Sequence, residues 1–164
     1  MAERIGLRVP GVVPLVTRAI YRLLPHFRLR QAVVRRAAEW ATEAVNRGDY
    51  EAAFVLHDPG VEFNPPAEMV GLGEEAVTRG RQERVRFQRT WTAQWGEVRF
   101  EPEECIDLGD RLLAVGRMKG SGLGSGATFD HEWANLVTIS AGRVIREQVF
   151  RDHEEALNAA GLSE

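Results

Sequence analysis

Four polar side chains stand among bulky apolar ones between Ala127 and Asp152: His131, Asn135, Glu147 and Arg151. Their types are those of acid-base chemistry. A glutamate on an apolar wall has its pKa raised by desolvation and can act as a general base near neutral pH, and a neutral histidine can abstract a proton. The segment that carries them reads ATFDHEWANLVTI, SAG and RVIREQVFRD. That is two apolar runs of period two around a short turn, the pattern of a long β-hairpin. A three-residue loop pairing Ile139 with Arg143 puts Asn135 opposite Glu147, Trp133 opposite Val149 and His131 opposite Arg151. Phe129, Val137 and Ile145 fall on the same face. The expected site is therefore a pocket on a sheet, with Glu147 and His131 as catalytic candidates and Trp133, Asn135, Val149 and Arg151 as ligand contacts.

Each candidate has a second reading. Glu147 can instead be held ionised by an arginine and merely shape the cavity, since structural ion pairs perturb such groups as well. His131 opposite Arg151 favours the neutral imidazole, yet it can equally be a hydrogen-bonding wall residue. Four strand positions, about 13 Å, separate Glu147 from His131's expected partner, so the two do not form one dyad. Asp130 and Glu132 alternate with the pocket set and should face outward. His57 beside Asp58 sits at a turn, on spacing too loose to argue for catalysis. Asp152 reads as a helix cap. A register slip of one residue would invert the whole assignment.

The elements that must position these groups can be read along the chain. At 164 residues, 44% hydrophobic and 27% charged, it suits one globular domain with a sizeable core. Residues 1 to 36 contain eight arginines and a single acid, Glu3, so the net charge of −3 conceals a basic start and an acidic remainder. A basic amphipathic helix is expected from about Pro14 to Leu24. Its apolar run is too short and interrupted to span a bilayer, and contact with a membrane surface or packing on the domain or a partner are the readings left open. No nucleic-acid motif accompanies the arginines. The lone Cys105 fits neither a disulfide nor a metal spacing, and suits a reducing, cytoplasmic location.

Further helices are expected over Leu29 to Arg47, from Asp49 through Leu56, and over Glu74 to Gln94. A brief strand runs from Val61 to Asn64 and stops at Pro65-Pro66. Strands at Glu97 to Asp107 and Arg111 to Lys119 precede the hairpin, and a capping box at Asp152 starts the last helix. GSGLGSG, Gly120 to Gly126, lacks the Lys-Ser/Thr ending and following helix of a phosphate loop, and reads as a flexible connection. The order describes an α+β fold with helices against one face of a bent antiparallel sheet.

Three segments carry a resemblance: AVNRGDYEAAFVLHDPGVEFNPP (44 to 66), EPEECIDLGDRLLAVGRMKGSGLGSG (101 to 126) and WANLVTISAGRVIREQVFRDHEEALNAAGL (133 to 162). The chain resembles the SnoaL-like branch of the nuclear transport factor 2-like (NTF2-like) superfamily. The resemblance implies an NTF2-like cone over residues 31 to 164, with a curved antiparallel sheet, helices on its concave face around a cavity, and usually a homodimer. Residues 1 to 30 form an extension outside it. Ketosteroid isomerases of this superfamily place their aspartate base near Phe63, their tyrosine near Ala41 and their protonated aspartic acid near Asn135. That leaves Phe63 as a ligand-contacting wall residue. SnoaL-type cyclases and limonene epoxide hydrolases place an acid where Val149 stands. The implied function is binding of a small hydrophobic molecule without metal or organic cofactor. The alternative is a cofactor-independent acid-base enzyme of isomerase, polyketide cyclase or epoxide hydrolase type.

Overall fold

The computed structural model describes residues 28–70 and 77–162. The expected Pro14 to Leu24 helix and the residues 1 to 30 extension, save its last three residues, lie outside that range. Helix α1, Arg28–Asn46, leads into the single turn α2, Tyr50–Ala53, where the Asp49 side chain accepts from Ala52 N–H at 3.2 Å as an N-cap. Strand β1, His57–Asn64, is followed by the two-residue strand β2, Thr78–Arg79, and by helix α3, Arg81–Thr92. Strands β3, Trp95–Asp107, and β4, Arg111–Gly122, precede the hairpin of β5, Thr128–Ser140, and β6, Arg143–Phe150. Helix α4, His153–Ala160, closes the chain, with Asp152 accepting from Glu155 N–H at 2.9 Å and Gly161 left-handed at its end.

The third long helix begins at Arg81 rather than near Glu74. Thr78 and Arg79 pair instead with Phe63 and Glu62 of β1, and Gly80, at φ 105°, turns the chain between strand and helix. The expected flexible connection is shorter than GSGLGSG, because β4 carries on through Gly122.

The six strands lie in the order β2-β1-β6-β5-β4-β3. One pairing departs from the expected antiparallel sheet: β1 runs parallel to β6, with Phe63 beside Glu147 and His57 beside Val144. Five steps along β1 match two along β6 there, so Asp58-Pro59-Gly60 bulges out between the two contacts. Proline, with no N–H to give a ladder, suits such a bulge. The bulge keeps both His57 and Phe63 buried.

The hairpin register differs from the expected one by two residues. The turn holds two residues, Ala141 and Gly142, both with positive φ, and Ile145 is left over as a bulge because Thr138 pairs with Arg146 while Ile139 pairs with Val144. Asn135 consequently faces Val149, and Glu147 faces Val137. A shift of two conserves the face and changes every partner.

Alternate residues divide the sheet into two cores. Leu113, Val115, Ala134, Leu136 and Phe150 point to one side and bury Ala156 and Ala160 of α4. The terminal helix thus packs on the face opposite the other helices, not with them on the concave face. The other side is covered by α1, α2 and α3. Asn46 ties α1 to β3 by holding both backbone groups of Phe100 at 2.8 Å. Arg30, near the start of α1, bonds to Asp107 and the Gly109 carbonyl at the β3–β4 turn. Among the described residues no helix is long and apolar enough to cross a membrane.

Strands β3 and β4 approach closely where β4 carries Gly116. A Cβ there would collide with the Glu101 carbonyl oxygen and come within 2.9 Å of Pro102 Cα, both backbone atoms. Gly116→Ala is expected to lower unfolding stability by about 1–3 kcal/mol, the usual range for overpacking. Urea denaturation checks it, and an unchanged midpoint would show that the strands can part at no cost.

Candidate functional site

Between α1, α2, α3 and the sheet lies a cavity of about 160 Å³. Its walls are aliphatic and aromatic: Ala37, Ala41 and Val45 of α1 face Leu112 and Val149 of the sheet, and Trp91 of α3 stands to one side. Trp91 also touches Phe100, a further wall residue, and Trp95, with ring centroids at 6.2 and 5.6 Å. One polar cluster interrupts this lining, and it is centred on Glu147.

Glu147 is 1% exposed. Arg84 of α3 grips it in a fork, Nε donating to Oε2 at 2.7 Å and Nη2 to Oε1 at 3.0 Å. Asn135 Nδ2 donates to Oε1 at 2.9 Å, and His57 Nε2 lies 3.0 Å from Oε2. The guanidinium is sandwiched between rings, its Cζ 4.1 Å from the Phe54 centroid and 4.0 Å from that of Phe63. Its remaining edge reaches Gln88 Oε1 at 3.0 Å, and Gln88 in turn donates to Thr92 at 3.1 Å. Burial by itself would raise the Glu147 pKa. The Arg84 charge, the hydrogen bond from His57, the charge of the His57 ring when it is protonated and the hydrogen bonds from Arg84 outweigh it and hold the carboxyl well below the usual carboxylate range.

Glu147 is therefore no general base of raised pKa, as one reading of the sequence had it. It is the ionised anchor of the alternative reading, and the arginine is Arg84. An ionised carboxylate only accepts hydrogen bonds, which fixes its neighbours' orientations. Asn135 must turn its amide nitrogen to Glu147, and His57 must carry hydrogen on Nε2. The other ends of both groups, Asn135 Oδ1 and His57 Nδ1, are buried in residues lining the cavity and have no hydrogen-bond partner.

The remaining expected site residues divide by position. Phe63, Trp133 and Val149 line the cavity with Asn135 and Glu147. His131 does not: β5 outruns β6, which ends at Phe150, and His131 pairs only with Met118 of β4. It is exposed and stacks on Phe129 at 5.7 Å. Arg151 lies past the end of β6, exposed and outside the cavity. Asp130 faces away, bonded to Arg117 at 2.6 Å on the opposite face. Among the described residues no group of three or more acidic, histidine or cysteine side chains could hold a metal. Burial first, then Asp107, pushes the Cys105 thiol up to about 11, which leaves it a protonated and poor nucleophile.

Two cluster members, Arg84 and His57, were not among the expected site residues. The spacing Arg84, Gln88, Trp91 puts two polar groups on the inward face of α3, a signal present in the sequence. His57 had no comparable signal, because its burial depends on the bulge and on the parallel pairing of β1.

A cone of this kind, with a helix-covered sheet and a cavity beneath, defines an NTF2-like α+β protein. The SnoaL-like domain model matches residues 37–147, and the chain belongs to that family. Among curated proteins no match is found. Several solved structures share the fold. An NTF2-like protein of unknown function from Burkholderia pseudomallei K96243 is 21% identical at a TM-score of 0.65, covering 76% of this chain and 94% of its own. TerC, co-crystallised with polyporic acid, is 22% identical at 0.63, with 78% and 95% covered. IdmH from Streptomyces antibioticus, a proposed polyketide cyclase, is 18% identical at 0.62, with 77% and 97% covered.

Removing Arg84 strands a buried carboxylate. Arg84→Met is expected to cost about 3–5 kcal/mol in urea unfolding, with part of the loss recovered when Glu147→Leu is added. Equal stability of wild type and single variant would dismiss the pair as a structural anchor. The pH dependence has a definite sign. The folded pKa of Glu147 is depressed, so its stabilisation is complete above the unfolded value, near 4.5, and is lost as pH falls below it. Wild type should lose stability more steeply than Glu147→Gln on acidification through that window. Parallel acid limbs would contradict this.

Proposed function

We propose that this protein binds a compact, largely apolar, uncharged molecule in the cavity and orients it by a hydrogen-bond donor. The observation that carries the reading is the pairing of an apolar lining with two buried acceptors lacking donors, His57 Nδ1, in the neutral ring, and Asn135 Oδ1. A buried acceptor left unpaired costs about 1–3 kcal/mol, and a ligand O–H or N–H would relieve that cost. The ion pair beside them is already neutralised, so it offers no net charge to an anion. A dry cavity of about 150 Å³ admits a benzene-sized guest, which sets the scale for this one. Family membership and co-crystallisation of the fold neighbour TerC with polyporic acid support a small-molecule role. A homodimer belongs to the same reading and rests on the resemblance.

Trp91 and Trp133 line the cavity and report occupancy through their fluorescence. Titration with p-cresol should give a saturable change that Val149→Phe abolishes by filling the space. The p-toluate anion, which brings charge and only acceptors, should bind at least about tenfold more weakly, a difference of about 1.4 kcal/mol. Tighter binding of p-toluate, or p-cresol binding untouched by Val149→Phe, would sink the reading.

A further inference from the structure

We infer that His57 is a proton-accepting catalytic residue of this cavity, with Glu147 and Arg84 as its positioning residues and a compact neutral molecule bearing an acidic O–H, N–H or carbonyl-activated C–H as its substrate. The inference rests on the cavity-binding reading above and gives it a chemistry. Three observations carry it. His57 is 7% exposed and lines the cavity. Its Nε2 is committed to the Glu147 carboxylate at 3.0 Å, so in the neutral ring the basic nitrogen is Nδ1. That nitrogen is buried without a partner of its own.

A histidine held by a carboxylate at one nitrogen and bare at the other is the orienter-and-base arrangement of acid-base sites. The Phe54 ring, edge-on at 5.1 Å, fixes the imidazole plane from a third side. Charge balances throughout. Before transfer the cluster holds Arg84 cationic, Glu147 anionic and His57 neutral, for no net charge. On transfer the ligand's X–H bond breaks, its electron pair stays on X, and an N–H bond forms at Nδ1. The new imidazolium lies between Glu147 and the ligand anion, so cavity plus ligand remains neutral. Returning the proton to another atom of the same anion gives an isomer and regenerates His57, with nothing consumed. Asn135 Oδ1, bonded through its amide to the same carboxylate, selects the donor end of the substrate. The charged groups facing His57 are Glu147 from β6 and Arg84 from α3. Its neighbour Asp58 is turned to Gly60 N–H at 2.9 Å.

The probe is 5-nitrobenzisoxazole, an uncharged bicycle. When a base takes its ring C–H proton, the C–H pair closes a nitrile, the N–O bond breaks and a coloured phenolate is released. Wild type should convert it with a rate that rises with pH through one ionisation. His57→Gln keeps a donor to Glu147 but has no base, and should lower kcat by about 100-fold with KM within about threefold. Nitrogen-15 NMR of the wild type should show hydrogen on Nε2 and a bare Nδ1 in the neutral ring. Equal rates in wild type and His57→Gln, hydrogen on Nδ1 with Nε2 bare, or binding of the probe without conversion would each overturn the base. Failure of the probe and of p-cresol to bind would instead remove the cavity reading, and this inference with it.

Discussion

The Arg84–Glu147 pair is the constraint on which the rest of the site depends. Taking two charges out of water costs several kcal/mol per ion, and only close geometry with every lone pair used repays it. The chain meets that condition by drawing one donor set from α3, one from β5 and one from β1 onto a carboxylate of β6. Strand β1, helix α3 and the β5–β6 hairpin are thereby held to one point, and the rings of Phe54 and Phe63 pack against the guanidinium. An apolar contact could shift along a strand without large penalty. This fork cannot, because a slip of one residue would leave a buried charge unpaired.

The cavity follows from what surrounds that point. On α1 the inward residues include Ala37, Ala38 and Ala41, which are too small to reach the sheet. Opposite them stand Leu112 and Ala114, also modest in size, while the large rings of Trp91, Phe87 and Phe100 are set around the sides. Space remains because the helices are propped by rings at the edge and by the ion pair at the base. The second core, on the far face under α4, is a single cluster that includes Leu113, Leu136 and Phe150 packed with Ala156 and Ala160. Stability and cavity are thus assigned to opposite faces of one sheet, so the void is tolerated.

Much of the frame was legible in the sequence because it rests on local signals. Period-two runs located β3 to β6, Asp49 and Asp152 marked their helices, and alternation placed Asn135, Glu147 and Val149 on one face. What failed was information the local pattern does not hold. A two-residue turn and a one-residue bulge at Ile145 each altered the hairpin by a single position. Together they restored the face while displacing every partner, so Glu147 kept its side and lost Asn135 as its direct cross-strand neighbour. His131 and Arg151 were misplaced because strand lengths, unlike faces, are set by the neighbouring strand. His57 looked like a turn residue because the parallel pairing of β1 with β6 joins residues some ninety positions apart, and no periodicity announces it.

The shift of the acid along β6 gives the site its chemical character. The resemblance places an acid-base aspartate at Val149, whereas this chain carries its carboxylate two residues earlier on the same face. Two residues along a strand are about 7 Å, enough to move the acid away from that position and into the reach of α3. There Arg84 takes it, and an ionised carboxylate so well supplied with donors has little tendency to accept a proton. The same hold leaves it well suited to orient an imidazole. Among the described residues that line the cavity, the inferred proton acceptor is His57, whose Nδ1 lacks a partner while its Nε2 is held by the carboxylate. In the scheme inferred above, the carboxylate of β6 is the fixed partner and the histidine of the neighbouring parallel strand β1 is the group proposed to meet the ligand.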